Sequence, residues 1–226
     1  MALTIADREI STMCLIDDDS SVRDSYLLNI EDLNLEAQSI KGPIDDLDSF
    51  IRDHTAISQA AICDQNLTVG GYSKFDGAEI VVRWYKDRFP VILCTKYEQE
   101  IAIKLRKFRE FIPALLDPDE LNPDSIQKSL EVCINEFRGK ILPSREMWNA
   151  LVRIENIDRE TNTLNPDLNV VIPSWRPQKG IRLMLRDLPE AIRSQVREGT
   201  RLSARVNIGA ERHEDLFFKE WKVIKA

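Results

Sequence analysis

Several features that would define a membrane, secreted or metal-binding protein are missing from this sequence. No apolar run in its 226 residues approaches the roughly 18 that a spanning helix needs. The first ten residues hold no basic stretch followed by an apolar core, so no secretory signal is predicted. The two histidines and four cysteines lack the close spacing of metal ligands or a disulfide framework. We therefore expect a cytoplasmic protein that does not contact a membrane.

Charge is distributed unevenly along the chain, whose formal net charge is −7. Residues 1–144 carry 16 Lys and Arg against 26 Asp and Glu, a local charge of −10. Residues 145–226 carry 15 against 12, a local charge of +3, and 11 of these 15 basic residues are arginine. This asymmetry favours two domains with different roles.

The first half of the chain alternates short apolar runs with amphipathic stretches. The runs are Thr12–Ile16, Glu36–Ile40, Ala60–Cys63, Pro90–Thr95 and Phe111–Leu116. Their length and apolar content predict buried parallel strands, and the stretches that follow them repeat apolar residues at helical spacing. Five strands alternating with five helices predict an α/β domain over residues 12–138, with a flavodoxin-like, doubly wound, five-stranded parallel sheet. We expect residues 1–11 to be an N-terminal extension.

The pattern changes after residues 139–146, which we predict to be a linker. Strand-like runs follow at Met147–Ile157, Leu164–Ile172, Ile181–Leu185, Arg201–Ile208 and Leu216–Val223, with one short helical stretch at Glu190–Val196. Five strands with a single helix in about 80 residues are typical of small all-β barrels. We predict an OB-like barrel over residues 147–226, with an SH3-like barrel or an open sheet as alternatives.

Acidic and hydroxyl residues follow the predicted strands of the first half. Asp17 and Asp18 follow the first strand, Asp64 the third and Asp117 the fifth, while Thr95 ends the fourth. Ligands of open α/β sheets bind at the carboxyl ends of the strands, so these side chains should gather at one edge. Carboxylates there would suit a hard cation such as Mg²⁺, and a carboxylate beside such an ion can attack phosphorus.

The spacing of these residues points to a known family. The run Ile16-Asp17-Asp18-Asp19-Ser20-Ser21-Val22-Arg23 is followed by Asp64, 47 residues after Asp17, and by Thr95, 31 residues further on. This pattern resembles the receiver domain of two-component response regulators. The resemblance implies that Asp17, Asp18, Asp64 and the backbone carbonyl of Asn66 hold Mg²⁺. It also implies that Asp64 accepts a phosphoryl group from a histidine kinase or phosphotransfer protein, and that Thr95 contacts this group as the switch hydroxyl.

Three features depart from the family's pattern. Asp117 stands at the family's lysine position, Ala114 stands at its aromatic switch position, and the loop 65–75 is long and lacks proline. Two like charges ~5 Å apart repel by roughly 3 kcal/mol at an effective dielectric of 20, so Asp117 replaces an attraction with a repulsion. Two interpretations follow. The protein is either a phosphorylated receiver that signals atypically, or a pseudo-receiver adaptor that acts by protein–protein interaction.

Two further functions match parts of the sequence. Asp17 and Asp19 are spaced as in haloacid-dehalogenase-like phosphatases, but the position of Asp64 favours a receiver, and we expect no enzyme. Arg201 and Arg205 would share one face of a strand, and such a face could bind single-stranded nucleic acid. Acidic residues are interleaved with these arginines, so we favour an unidentified protein partner for the barrel.

Overall fold

A computed structural model describes residues 2–96, 98–159 and 166–224. The chain divides into two compact units, which we describe separately. The first consists of Met1–Ile101 and Phe111–Ile141, and the second of Ala102–Glu110 and Leu142–Ala226. Among the described residues, no helix is both long enough and apolar enough to cross a membrane.

The described residues of the first unit form seven strands, two of which make a separate hairpin. The strands are Leu3–Ile5 (β1), Arg8–Ile10 (β2), Thr12–Ile16 (β3), Glu36–Ser39 (β4), Ala60–Asp64 (β5), Val91–Cys94 (β6) and Ala114–Leu116 (β7). The helices are Ser20–Glu31 (α1), Leu47–Thr55 (α2), Gly77–Lys86 (α3), Gln99–Leu105 (α4), whose last residues belong to the second unit, and Pro123–Phe137 (α5).

Strands β3 to β7 form the predicted five-stranded parallel sheet. Its order is β4-β3-β5-β6-β7, which is the order of flavodoxin-like, doubly wound proteins. All residues of β3 and β6 are buried, as expected of central strands covered on both faces by helices. The prediction of a doubly wound α/β domain is confirmed.

Polar side chains cap the start of most of these helices. Asp19 accepts a hydrogen bond from the backbone N–H of Ser21 at the start of α1, and Asp46 caps α2 in the same way. A capping box of Asp76 and Glu79 begins α3. Side-chain oxygens at these positions satisfy backbone N–H groups that the helix leaves unpaired. Part of the acidic excess of the first half is therefore explained by helix capping.

The hairpin of β1 and β2 lies within the segment expected to be an extension. Its two-residue turn has positive φ at both Ala6 (46°) and Asp7 (60°), which matches the twist of a tight hairpin. Ile5 and Ile10 are buried in the same core cluster as the sheet residues Met13 and Leu15. The first residues of the chain therefore contribute to the core of the unit.

The second unit is built on a five-stranded antiparallel sheet. Its strands are Trp148–Asp158 (β8), Asp167–Val171 (β9), Gly180–Met184 (β10), Arg201–Val206 (β11) and Phe218–Val223 (β12), with a short helix at Glu190–Arg193 (α6). Their order is β10-β9-β8-β11-β12. The strand predicted from Leu164 begins outside the described residues, since 160–165 are not described.

The closed, OB-like form of this sheet is not confirmed. Among the described residues no strand pairing joins β10 to β12, so both remain edge strands. Arg106 lies at the edge of β10, where its guanidinium donates hydrogen bonds to the backbone carbonyls of Arg182 and of His213. A side chain thus satisfies backbone groups at this edge, which is one way in which proteins protect edge strands.

Candidate functional site

The predicted site residues follow neighbouring strands of the parallel sheet. Asp17 and Asp18 come after β3, Asp64 ends β5, Thr95 comes after β6 and Asp117 comes after β7. In the sheet register Ile16 is opposite Cys63, and Asp64 is opposite Cys94, so the strand ends stand side by side. The structure therefore places these residues along one edge of the sheet, as predicted from the sequence.

Asp17 is the most buried carboxylate of this edge, at 7% exposure. Its Oδ1 accepts a hydrogen bond from the backbone N–H of Asp19 at 2.8 Å. Burial raises the pKa of Asp17 to about 6; the N–H of Asp19 opposes this shift, and the charges of Asp64, Asp18 and Asp19 add to it. A cation at this edge would relieve the repulsion that these acids exert on one another.

Asp64 is partly buried at the end of β5. The pKa of its carboxyl group is raised, mainly by burial. The backbone N–H groups of Asn66 and Gln65 oppose this shift, and the charges of Asp18 and Asp76 add to it. The Oδ2 atom accepts a hydrogen bond from the N–H of Asn66 at 2.6 Å. This contact fixes the carboxylate relative to the loop that follows the strand.

The start of α3 packs closely against the backbone of Asp64. A Cβ atom at Gly77 would lie 1.8 Å from the Asp64 carbonyl oxygen, so only glycine fits there. Gln65 links the end of β5 to the start of α3 by two hydrogen bonds. Its backbone carbonyl accepts one from the N–H of Gly77, and its side-chain carbonyl accepts the other from the N–H of Ala78. These contacts hold the end of β5 in place despite the long loop between Asp64 and α3.

Thr95 and Asp117 lie on adjacent strand ends. Thr95 is 2% exposed, and its N–H donates to the carbonyl of Leu116 at 2.9 Å. Asp117 is half-buried and accepts a hydrogen bond from the N–H of Asp119, which begins a short 3₁₀ turn. Lys96 is 3.8 Å from Asp119, and both side chains are exposed. Within the described part of the chain, the nearby lysine therefore pairs with Asp119, and no cation pairs with Asp117.

Ala114 lies in β7 and is buried at 6% exposure. A methyl side chain at this position has no aromatic ring that could rotate between exposed and buried positions. Position 114 therefore cannot provide an aromatic switch.

Other buried groups beside the acids were not assigned a role from the sequence. Arg23 in α1 donates hydrogen bonds to the carbonyl of Asp17 and to the hydroxyl of Ser39. Its guanidinium also lies 5.8 Å from the centre of the Tyr72 ring. The buried guanidinium of Arg23 therefore stabilises the backbone at Asp17.

Tyr26 and Cys94 form a second buried contact near the acids. The Tyr26 hydroxyl lies 3.4 Å from the Cys94 Sγ. Burial raises the pKa of Tyr26, and burial raises the pKa of Cys94 to about 12. Both groups therefore stay protonated at neutral pH. The buried residues of α1 are Arg23, Tyr26 and Ile30. Their spacing is helical, so the sequence could have identified Arg23 and Tyr26 as buried residues.

The donor set at this edge suits a hard cation in its chemistry. Asp17, Asp18 and Asp64 supply carboxylate oxygens, and the exposed Asn66, two residues after Asp64, supplies a backbone carbonyl. In the described part of the chain, however, no three acidic, histidine or cysteine side chains are gathered in metal-binding geometry. The carboxylates are close enough to shift one another's pKa, but they are not assembled as a ligand cage.

Comparisons with known proteins give structural likeness alone. No family model and no curated protein matches the chain. A receiver domain protein from Clostridium thermocellum is 16% identical over 57% of this chain and 97% of its own length, with a TM-score of 0.43. A CheY-like receiver protein from Methanospirillum hungatei is 16% identical over 58% and 98%, with a TM-score of 0.41. Chemotaxis protein CheY4 of Vibrio cholerae is 18% identical over 54% and 97%, with a TM-score of 0.39.

The sheet order and the placement of the helices define the first unit as a flavodoxin-like, doubly wound α/β domain. That assignment rests on the topology described above and covers the first unit alone.

Proposed function

We propose that the protein is a two-component-type response regulator in which Asp64 accepts a phosphoryl group from a histidine kinase or phosphotransfer protein. One observation carries this proposal: Asp17, Asp18, Asp64 and Thr95 follow adjacent strands of a parallel sheet ordered β4-β3-β5-β6-β7. Fold alone supports many activities, so the proposal depends on this set of side chains.

Each residue has a role in the proposed transfer. Asp17, Asp18, Asp64 and the Asn66 carbonyl would hold Mg²⁺, and this ion would neutralise the negative charges of the carboxylate and the phosphoryl group. A carboxylate oxygen of Asp64 forms the new bond to phosphorus as the bond to the donor's histidine nitrogen breaks. The Thr95 hydroxyl, on the neighbouring strand end, donates a hydrogen bond to a phosphoryl oxygen and fixes its orientation.

Asp117 favours a second candidate function, that of a pseudo-receiver adaptor. Its carboxylate begins a 3₁₀ turn at the place where a receiver has a phosphate-binding cation. An added phosphoryl group would face this negative charge. The adaptor would keep the fold and bind a protein partner without phosphorylation.

Intact-mass measurement after incubation with acetyl phosphate and Mg²⁺ separates the two functions. We expect a single phosphate adduct on the wild-type protein and on Asp119→Ala, which removes an exposed acid of the same edge. Asp64→Ala should carry no adduct. If none of the three proteins forms an adduct, the regulator function is wrong and the adaptor function is favoured.

We also propose that the protein does not act as an enzyme and that the second unit provides the output by binding a partner. A haloacid-dehalogenase-like activity would use Asp17 and Asp19 and would not need Asp64. Turnover of a phosphate ester by the Asp64→Ala protein would therefore contradict the regulator and favour the phosphatase.

A further inference from the structure

The antiparallel sheet of the second unit has one buried face and one exposed, cationic face. Ala150, Val152 and Ile154 of β8 are buried, and the residues between them are exposed. Strand β11 alternates in the same way. Residues opposite each other in paired strands share a face, so the register groups five cations on the exposed side. We call this the cationic sheet face, and it consists of Arg153, Arg201, Arg205, Lys219 and Lys222.

The strand register places like charges directly opposite each other on this face. Arg153 of β8 is opposite Arg201 of β11, and Arg205 of β11 is opposite Lys219 of β12. Directly opposite side chains interact most strongly across a sheet, and like charges there are destabilising. A polyanion bound across the three strands would offset this concentration of positive charge.

Carboxylates neutralise only part of this charge. The pairs are Glu155 with Arg153, Glu220 with Arg205 at 3.6 Å, and Glu110 with Lys219. Arg201 and Lys222 are exposed and have no carboxylate within ion-pair distance in the described part of the chain. The pairs of Arg153 and Arg205 are exposed, and exposed ion pairs contribute little stability, so a phosphate group can replace their carboxylates with little loss. Guanidinium groups bind phosphate oxygens in a two-pronged geometry.

The shape and the apolar content of the face select the kind of polyanion. Leu151 is 37% exposed and stands opposite Ser203, between the two like-charge pairs. An apolar side chain among cations suits unstacked bases next to phosphates. The major groove of a DNA duplex admits a helix or a two-stranded ribbon, and this face is three strands wide. An extended single strand, in contrast, can follow the cations across β8, β11 and β12.

We propose that the cationic sheet face binds single-stranded nucleic acid through its phosphates. Arg201 and Lys222 make the main phosphate contacts, and Leu151 contacts a base. This binding is separate from the proposed phosphorylation of Asp64, so Asp64→Ala should bind nucleic acid like the wild-type protein.

Fluorescence anisotropy with a labelled oligothymidylate of about 20 nucleotides, titrated with the full chain over a salt series, tests the proposal. The test variant is Arg201→Gln with Lys222→Gln. The control is Arg52→Gln with Lys128→Gln, which removes the same charge from exposed positions of the first unit. The test variant should bind about tenfold more weakly at low salt, and its salt slope should fall by about 1.4, since each phosphate contact to a single strand contributes ~0.7.

The controls distinguish site-specific binding from general attraction. Arg201→Lys keeps the charge and should retain most of the binding, and thermal unfolding of every variant verifies its fold. Absence of salt-dependent binding by the wild-type protein overturns the proposal. So does an equal loss in the control variant, which indicates diffuse attraction. Competition by polyglutamate as strong as that by unlabelled oligothymidylate also overturns it, in favour of an acidic protein partner.

Discussion

At the scale of single residues, Asp117 adds a negative charge to the candidate site. Its carboxylate follows β7, the strand beside the one that Thr95 follows, and its Oδ1 accepts a hydrogen bond from the N–H of Asp119. Asp117→Lys would exchange a repulsion for an attraction to the phosphoryl group, each worth roughly 3 kcal/mol at ~5 Å. We expect Asp117→Lys to speed adduct formation from acetyl phosphate by about tenfold or more.

Time-resolved intact mass measures this rate. Asp119→Lys adds the same charge at an exposed position two residues away and serves as the control. An unchanged rate in Asp117→Lys would mean that the lysine position does not limit phosphoryl transfer here.

His54 provides a pH-dependent contribution to stability. Its ring lies 4.4 Å from that of Phe50, and its Nδ1 is 3.8 Å from the Sγ of Cys14. Burial lowers the pKa of His54 from 6.5, and the charge of Asp53 opposes this shift. The folded protein therefore favours the neutral ring, whereas the unfolded chain binds a proton more readily. The stabilisation is complete above pH 6.5 and is lost as the pH falls through the folded pKa.

Urea unfolding at several pH values tests this expectation. The wild-type protein should lose more free energy of unfolding below pH 6.5 than His54→Gln does. Parallel curves for the two proteins would show that another group causes the acid sensitivity.

Sequence spacing could identify the acids and Thr95 because each follows a recognisable strand. Arg23 and Tyr26 could have been identified as buried from helical spacing. Tyr72 could not, because it lies in the long loop after β5, where its hydroxyl donates a hydrogen bond to the Ile40 carbonyl and its ring faces the Arg23 guanidinium. Contacts between a loop and a distant strand depend on the folded path of the chain.

At the scale of elements, the junction of β5 and α3 determines the position of Asp64. Gly77→Ala would force a Cβ onto the Asp64 carbonyl, so the strand end or the helix must move. We expect a loss of about 3 kcal/mol in the free energy of unfolding, since overpacking of this kind typically costs 1–3 kcal/mol or more. The acetyl phosphate adduct should decrease as well.

Gly70→Asn is the control for this substitution, because Gly70 lies in open space with φ of 67°, a conformation that asparagine tolerates. It should leave both stability and adduct formation close to wild type. If Gly77→Ala unfolds at the wild-type urea midpoint, the close contact at Asp64 is not required.

The elements that were hardest to predict depend on contacts distant in sequence. The parallel strands were recognisable because continuous apolar runs mark central strands. The three-residue strands of the hairpin are too short for such a signal. A closed barrel and an open sheet share the same strand pattern, and Arg106, which contacts the edge of β10, lies 76 residues before Arg182.

At the scale of the whole molecule, the segment Ala102–Glu110 interrupts the first unit in the sequence. It belongs to the second unit, although it lies between β6 and β7 in the sequence. Arg109 forms an ion pair with Asp215 at 3.0 Å, with exposures of 11% and 28%, and Glu110 pairs with Lys219. A single linker at 139–146 was expected from composition, and composition cannot show that an earlier segment joins the second unit.

The position of this segment leads to a prediction about signalling. Thr95 follows β6, and α4 begins only a few residues later, so a displacement of Thr95 towards a phosphoryl group on Asp64 would act on a segment held by the second unit. We expect acetyl phosphate and Mg²⁺ to change amide hydrogen exchange across residues 102–110 in the wild-type protein but not in Asp64→Ala. Thr95→Val should still accept the phosphoryl group without this change, because it lacks the hydroxyl. Unaltered exchange in a wild-type protein that carries the adduct would mean that the signal does not pass through this segment.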